Sequence, residues 1–261
     1  MPGLSDCQRL FFESQGYLML EGLLTGSERT ALRAACDDAE ARFHRDPGLQ
    51  GCRIPEFLEI EAIMEYHSAF LPLAEHPEVL PLVRDLLGAD LAVLDHGYYI
   101  TPPGGAIAGK AWHTDVGTRL HGVYHPRSIM MLRVMYTLDD IAPDGGATLV
   151  LPGSHRFTPD VPIPRVDVPE DMPNCVRLAC PAGSAYLFNG NLLHCPGNNR
   201  GAATRRVLLF NYGHRWMRMW KGHEPSAWLA AQATTPMRRQ LLGLARAYYG
   251  PDAPLDPPPA G

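Results

Sequence analysis

The sequence predicts a mainly β fold with flanking helices, and three observations carry that reading. From residue 91 onward, short segments rich in Val, Leu, Ile, Tyr and Phe (residues 91–100, 128–138, 147–151, 176–180, 184–188 and 206–212) are separated by Gly, Pro, Asn and Asp, the pattern of strands joined by turns. Gly and Pro number 25 each in 261 residues, well above ordinary use, which implies many turns and short strands rather than a helix bundle. Most gaps between those segments hold no amphipathic helix, so the rhythm of a parallel βαβ sheet is missing. Neither a G-x-G-x-x-G after a strand nor a G-x-S-x-G elbow is present, which speaks against a dinucleotide fold or an α/β-hydrolase.

The elements follow in order. Thr25, Gly26 and Ser27 offer a cap before Leu32, Cys36, Ala39 and Phe43, whose helical spacing predicts a helix ending near His44 or Arg45. The run over residues 60–73 predicts a second helix. Pro77 in a first turn, then Val79, Leu82, Val83, Leu86 and Leu87, closed by Gly88, predict a third. After Gly213 the pattern returns to helix over residues 237–248, and residues 251–261 form a Pro-rich end. The expectation is one domain over residues 1–261, with a helical part at 1–90 and a β core at about 91–213.

Composition narrows the function. Twenty-three Lys and Arg against 28 Asp and Glu give a formal charge of −5, and no basic block tracks a phosphate backbone, so no nucleic-acid partner is expected. The first residues lack the charged and apolar regions of a secretory signal, and no apolar run is long enough to span a bilayer. Six dispersed cysteines without a C-x-x-C pair read as free thiols of a reducing compartment rather than a zinc knuckle or a disulfide scaffold. A cytoplasmic protein with a small-molecule substrate and no membrane partner is expected, as a monomer or homo-oligomer.

His113, Thr114 and Asp115 form an H-x-D step, and alternate residues of a strand reach the same side. With the distant His194 they would supply two imidazoles and one carboxylate, the ligand set of non-haem Fe(II) oxygenases that leaves open positions for substrate and oxygen. Alone, an H-x-D is more often a surface or turn pair. His194 and Arg205 lie an odd eleven residues apart and would face opposite ways on one straight strand. The Pro196, Gly197, Asn198 and Asn199 between them predict a turn that returns both to one cavity. There Arg205 would offer its planar fork to a carboxylate.

Together these segments resemble the phytanoyl-CoA dioxygenase-like family of 2-oxoglutarate oxygenases. The resemblance spans residues 96–213 and rests on W-H-T-D at 112–115, G-G-A-T-L-V-L-P-G-S-H at 145–155 and the interval 194–205. It implies a double-stranded β-helix, or cupin-like jelly roll, with Fe(II) held by His113, Asp115 and His194. It further implies 2-oxoglutarate as cosubstrate, its distal carboxylate on Arg205, and dioxygen as the second cosubstrate. Arg206 is the alternative anchor if the strand register is shifted by one. The implied activity is an oxidoreductase, a dioxygenase hydroxylating an unactivated C–H of a small metabolite, while the abundance of Ala, Gly, Pro and Arg fits a GC-rich bacterial genome and natural-product biosynthesis as a setting. Asp115 stands where related halogenases carry a small residue, which favours hydroxylation over halogenation. Desaturation, epimerisation and cyclisation share the early steps and stay open, as does a non-catalytic jelly-roll binding protein.

Other residues carry weaker expectations. Tyr99, Trp112 and Asn189 adjoin the candidate metal strands and are expected at the cavity, Tyr99 and Asn189 as cofactor-binding residues. Met130, Met131 and Met135 are expected to fill the core, and Arg133, within the same run, to face solvent unless it enters the cavity to meet a carboxylate. His155 in P-G-S-H is expected to serve the turn, with Ser154 bonding backbone. His121 and His125 are expected to shape a lid, and the Gly-rich residues 102–109 a flap.

Overall fold

The computed structural model describes residues 3–105, 112–116, 128–158 and 160–245. His121 and His125, residues 106–109 of the expected flap, residues 246–248 of the expected last helix and the Pro-rich end lie outside them. The described elements run α1 (Asp6–Gln15), β1 (Tyr17–Leu20), α2 (Gly26–Arg45), β2 (Gly51–Ile54), β3 (Phe57–Glu61), α3 (Leu71–Ala74), α4 (Leu80–Leu87) and β4 (Leu91–Thr101). There follow β5 (Met131–Thr137), β6 (Thr148–Val150), β7 (Val176–Leu178), β8 (Ala185–Asn189), β9 (His194–Pro196), β10 (Arg205–His214), α5 (Ala227–Ala231) and α6 (Pro236–Leu241).

Among the described residues the strands make an antiparallel seven-stranded sheet, in the order β1-β8-β5-β10-β4-β3-β2, and a three-stranded sheet, β7-β6-β9. Strand alternation sorts the large sheet's side chains into two sets. Leu132, Val134, Tyr136, Leu208, Phe210 and Tyr212 pack with Leu32, Cys36, Phe43 and Val83 of the helices. Met135, Tyr186, Phe188, Val207 and Leu209 instead meet Val150 and Leu178 of the small sheet. This is the double-stranded β-helix, with helices covering the outer face of its large sheet.

Helix α2 starts where the cap predicts, since Thr25 and Glu28 form a reciprocal capping box, a feature worth about 1 kcal/mol. Helix α4 begins at Leu80, three residues after Pro77, with Pro81 in its first turn and Gly88 as C-cap at φ 86°. The first 90 residues are less helical than expected. β1 joins the sheet edge beside β8, and residues 60–73 form no single helix. Leu58 and Ile60 instead pair with Ile100 and Tyr98 of β4, and Ala62 at φ 55° ends the strand before 3-10 turns at Ile63–Glu65 and Ser68–Phe70. A four-residue helix with Pro72 in its first turn follows. The helical spacing over 60–73 was outweighed by an open sheet edge on β4 that backbone groups of β3 could satisfy.

Candidate metal centre

His113 and His194 are joined before any metal is considered. Each donates its backbone N–H to the other's carbonyl at 3.0 Å, an antiparallel bridge that extends the small sheet beyond β9. Their rings consequently stand 4.3 Å apart. Asp115, two residues on, donates its backbone N–H to Gly190 at 2.8 Å, which brings its carboxylate back to the pair. Gly190 is required there, because a Cβ would lie 2.9 Å from Val116 and 3.1 Å from Met131. Asp115 Oδ1 lies 3.9 Å from His113 Nε2 and 3.7 Å from His194 Nε2, and one ligand atom from each residue falls within 4.8 Å of the others.

The donor chemistry fits a divalent ion. His194 is buried, and desolvation pushes its pKa down to about 3, so the ring is neutral near pH 7. Its Nδ1 sits 2.9 Å from the Leu192 carbonyl and carries the proton, which leaves a lone pair on Nε2. That Nε2 and Asp115 Oδ2 are buried without a hydrogen-bond partner. Buried acceptors without a partner are costly in a protein without an ion and natural around one. His113 is the most open of the three, its side chain 38% exposed.

Below the triad lies a small cavity of about 40 Å³ lined by Tyr99, His113, Arg133, Met135, Thr148, Phe188, His194, Pro196 and Arg205. Arg205 is 3% exposed, and its Nη2 donates to Thr148 Oγ1 at 3.0 Å and Tyr186 Oη at 3.1 Å. Both partners are neutral, and Nε has none. Gly146 makes room for this side chain, since at φ 76° a Cβ would come 3.3 Å from Arg205 Cδ. Arg206 projects to the helical side and approaches Asp139 at 3.4 Å, so the register places Arg205 inside.

Arg133 does not face solvent, contrary to the expectation for it. It shares the inner face with Met135, two residues on, and is 9% exposed. Its Nη2 donates to Asp115 Oδ1 at 2.8 Å and its Nε to Asn211 Oδ1 at 3.1 Å. Burial works against its charge, but Asp115 foremost, then Tyr99, Asp95 and Glu59, hold its pKa above the usual value. Thus the acid it meets is a member of the triad.

The remaining expected residues separate. Tyr99 lines the cavity and packs edge-on against Phe57 at 5.5 Å. The Oδ1 of Asn189 accepts from the backbone N–H and Nδ2 of Asn191, holding the turn before His194, and Asn189 is not among the cavity-lining residues. Trp112 donates Nε1–H to the Pro169 carbonyl at 3.0 Å. Ser154 Oγ accepts the Leu193 N–H at 2.8 Å, bracing the strand into His194, and His155 Nε2 lies 3.2 Å from the Glu13 carbonyl. Thr148 and Tyr186 were missed. Thr148 stands inside the quoted G-G-A-T-L-V run, and Tyr186 falls on the inner face two residues before Phe188, so alternation pointed to both.

Comparison with known proteins agrees with this geometry. The family model described as phytanoyl-CoA dioxygenase (PhyH) matches residues 12–207, well over half of the chain. The protein Rv1501 of Mycobacterium tuberculosis is 26% identical over 238 residues, covering 87% of this chain and 82% of its own. An ectoine dioxygenase of Nocardia farcinica is 27% identical over 215 residues, covering 72% and 70%. The crystal structure of HygX from Streptomyces hygroscopicus with nickel and 2-oxoglutarate bound superposes with a TM-score of 0.68 at 17% identity, covering 84% and 91%, a likeness of fold. With the family model spanning both the helical part and the barrel, and the triad in place, the chain belongs to the phytanoyl-CoA dioxygenase (PhyH) family and is an Fe(II)/2-oxoglutarate-dependent oxygenase.

Proposed function

We propose that the protein hydroxylates an unactivated C–H of a small organic metabolite, with His113, Asp115 and His194 holding Fe(II) and Arg205 holding the distal carboxylate of 2-oxoglutarate. The observation that carries the cosubstrate assignment is the state of Arg205. It is a buried guanidinium whose hydrogen-bond partners are two hydroxyls, with no carboxylate in ion-pair reach among the described residues. An isolated buried cation is strongly unfavourable, whereas an incoming carboxylate would complete a charge-assisted contact with Thr148 and Tyr186 already placed beside it. Iron(II), with dioxygen and 2-oxoglutarate, supplies the oxidising chemistry when bound, as succinate and carbon dioxide are formed.

The chain's own residues orient and exclude. The Leu192 carbonyl keeps His194 in the tautomer that presents Nε2. Phe188 and Met135 wall the cavity between triad and Arg205, which limits water around the reacting groups. Tyr99, on the opposite strand, is well placed to border the cosubstrate. An ectoine dioxygenase among the relatives supports a small metabolite as substrate. Six free cysteines fit the reducing cytoplasm, and among the described residues no helix is long and apolar enough to cross a membrane. The protein is taken to act as a monomer or homo-oligomer.

The test is anaerobic titration of metal-free protein with Fe(II) and then 2-oxoglutarate, followed by succinate measurement against CoA thioesters, amino acids and cyclic metabolites. Binding of both and substrate-dependent succinate are expected. Failure of either to bind at micromolar to low millimolar concentration removes the assignment.

A further inference from the structure

Behind the triad runs a chain of buried polar side chains that hydroxylation does not itself require. Arg133 bridges Asp115 and Asn211, as above. Asn211 Nδ2 donates to Asp95 Oδ2 at 2.7 Å, and Asp95 Oδ1 lies 3.2 Å from His223 Nε2. The backbone N–H of His96 donates to His223 Nδ1 at 3.3 Å, so in the neutral ring the proton sits on Nε2, toward Asp95. Arg133, Asn211, Asp95 and His223 are each at most 9% exposed.

The order of donors and acceptors is fixed by chemistry. Arg133 can only donate and a carboxylate can only accept, so Asn211 must turn its carbonyl to the first and its amide to the second. Reversing that amide would set donor against donor at one end and acceptor against acceptor at the other. Arg133 is thereby held at both Nε and Nη2, and one guanidinium lies between two buried carboxylates, directly bound to Asp115 and linked to Asp95 through Asn211. The far half of the chain comes from late sequence. Asn211 and His223 lie beyond residue 207, where the family match ends, and His223 sits in the segment after β10 that is tied to β4 by the Trp220 N–H on the Leu94 carbonyl at 3.0 Å.

We propose that Asn211, Asp95 and His223 are positioning residues for the metal centre: through Arg133 they fix the orientation of Asp115, so that the segment after the barrel sets how the carboxylate meets the ion. This rests on the metal assignment above. Arg133 occupies one lobe of the carboxylate and leaves an oxygen without a partner, so a single orientation is presented. Partners bonded directly to a metal ligand, as Arg133 is to Asp115, change affinity by about 10–100-fold when removed, and Asn211, Asp95 and His223 act through that partner. Asn211→Leu keeps approximate shape and removes both contacts, while His223→Ala removes only the outermost and His223→Gln restores a donor to Asp95.

The experiment titrates the full-length protein and its variants with Mn(II) alone, and separately records the visible absorption of the Co(II) form. Circular dichroism and Tm report folding. Asn211→Leu and His223→Ala are expected to weaken Mn(II) about tenfold or more and to alter the Co(II) bands, with His223→Gln recovering both. A positional effect of this kind moves the Co(II) spectrum of correctly folded protein, which a general loss of stability does not. Folded Asn211→Leu and His223→Ala with parental Mn(II) affinity and parental Co(II) bands would overturn the proposal alone. If Asn211→Leu does not fold, His223→Ala against His223→Gln decides it in the same way. Parent protein that binds neither ion removes the metal assignment and this proposal together.

Discussion

Arg205 and Arg133 are buried guanidiniums on one cavity, yet their surroundings are opposite. Arg133 has two acids within its network, Asp115 at 2.8 Å and Asp95 one amide further. Arg205 has the hydroxyls of Thr148 and Tyr186 and an unpartnered Nε. Burying a charge is tolerable when it is paired and hydrogen-bonded, and costly otherwise. The first arginine is therefore already compensated by the protein, and the second is the one that the proposed cosubstrate would compensate. Residue type and burial are alike in the two, so their partners alone tell them apart.

The comparison makes its largest demand on Asp115. Removing it as Asp115→Ala strands Arg133, and breaking one side of a buried pair costs about 3–5 kcal/mol. Denaturant unfolding of the metal-free protein should show that loss, and Arg133→Met added to Asp115→Ala should recover much of it. A double variant as unstable as the single one would mean that the pair is not what compensates Arg133. At the other end, Arg205→Met should weaken 2-oxoglutarate by about 100-fold, from the loss of a buried charge contact worth 2–5 kcal/mol. The same substitution should leave Mn(II) affinity unchanged and hold or raise the Tm of the ligand-free protein, because an uncompensated cation is gone. A marked fall in that Tm would show that Arg205 is compensated after all.

Asp95 sharpens the contrast through pH. Burial lifts its pKa to about 6, against the pull of Arg133 and Asn211. The native state then holds a proton that the unfolded chain, with a carboxyl near 3.8, has released. The stabilisation from this group is complete below pH 3.8 and is lost as pH rises through about 6. Between pH 5 and pH 7 the difference in unfolding free energy between parent and Asp95→Asn should shift by about 1 kcal/mol, and a flat difference would place the titration elsewhere. The smallest effect belongs to Arg206→Ala, on the opposite face beside Asp139 at 3.4 Å. Its side chain is 31% exposed, and the change should alter 2-oxoglutarate affinity less than twofold, with stability within about 0.5 kcal/mol. A large loss of 2-oxoglutarate binding here would move the register by one residue.

The strands from residue 91 onward were legible because short β-branched and aromatic runs between Gly and Pro have few other uses. The N-terminal strands were not. Tyr17–Leu20 and Phe57–Glu61 are brief, and what makes them strands is the free edge of a neighbour distant in sequence. Among site residues, His113, Asp115, His194 and Arg205 stood out by motif and spacing, while Asn189, equally close to a metal strand in sequence, turned out to hold a turn. Arg133 was read toward solvent because an arginine in an apolar strand is usually at the surface, and no local pattern announces a carboxylate eighteen residues away.

By itself the sequence determined the β core with its helical cover, the identity of the triad candidates and the placing of one arginine after a turn. Those follow from local chemistry: side-chain period, turn residues and ligand types. Only the tertiary structure decided which arginine is compensated, which face each inner residue joins, and that Asp95 and His223 reach the back of the metal centre. The Asp95–His223 contact joins residues 128 positions apart, and a pairing across that separation is fixed by β10 lying beside β4 in the large sheet rather than by any neighbour in the chain.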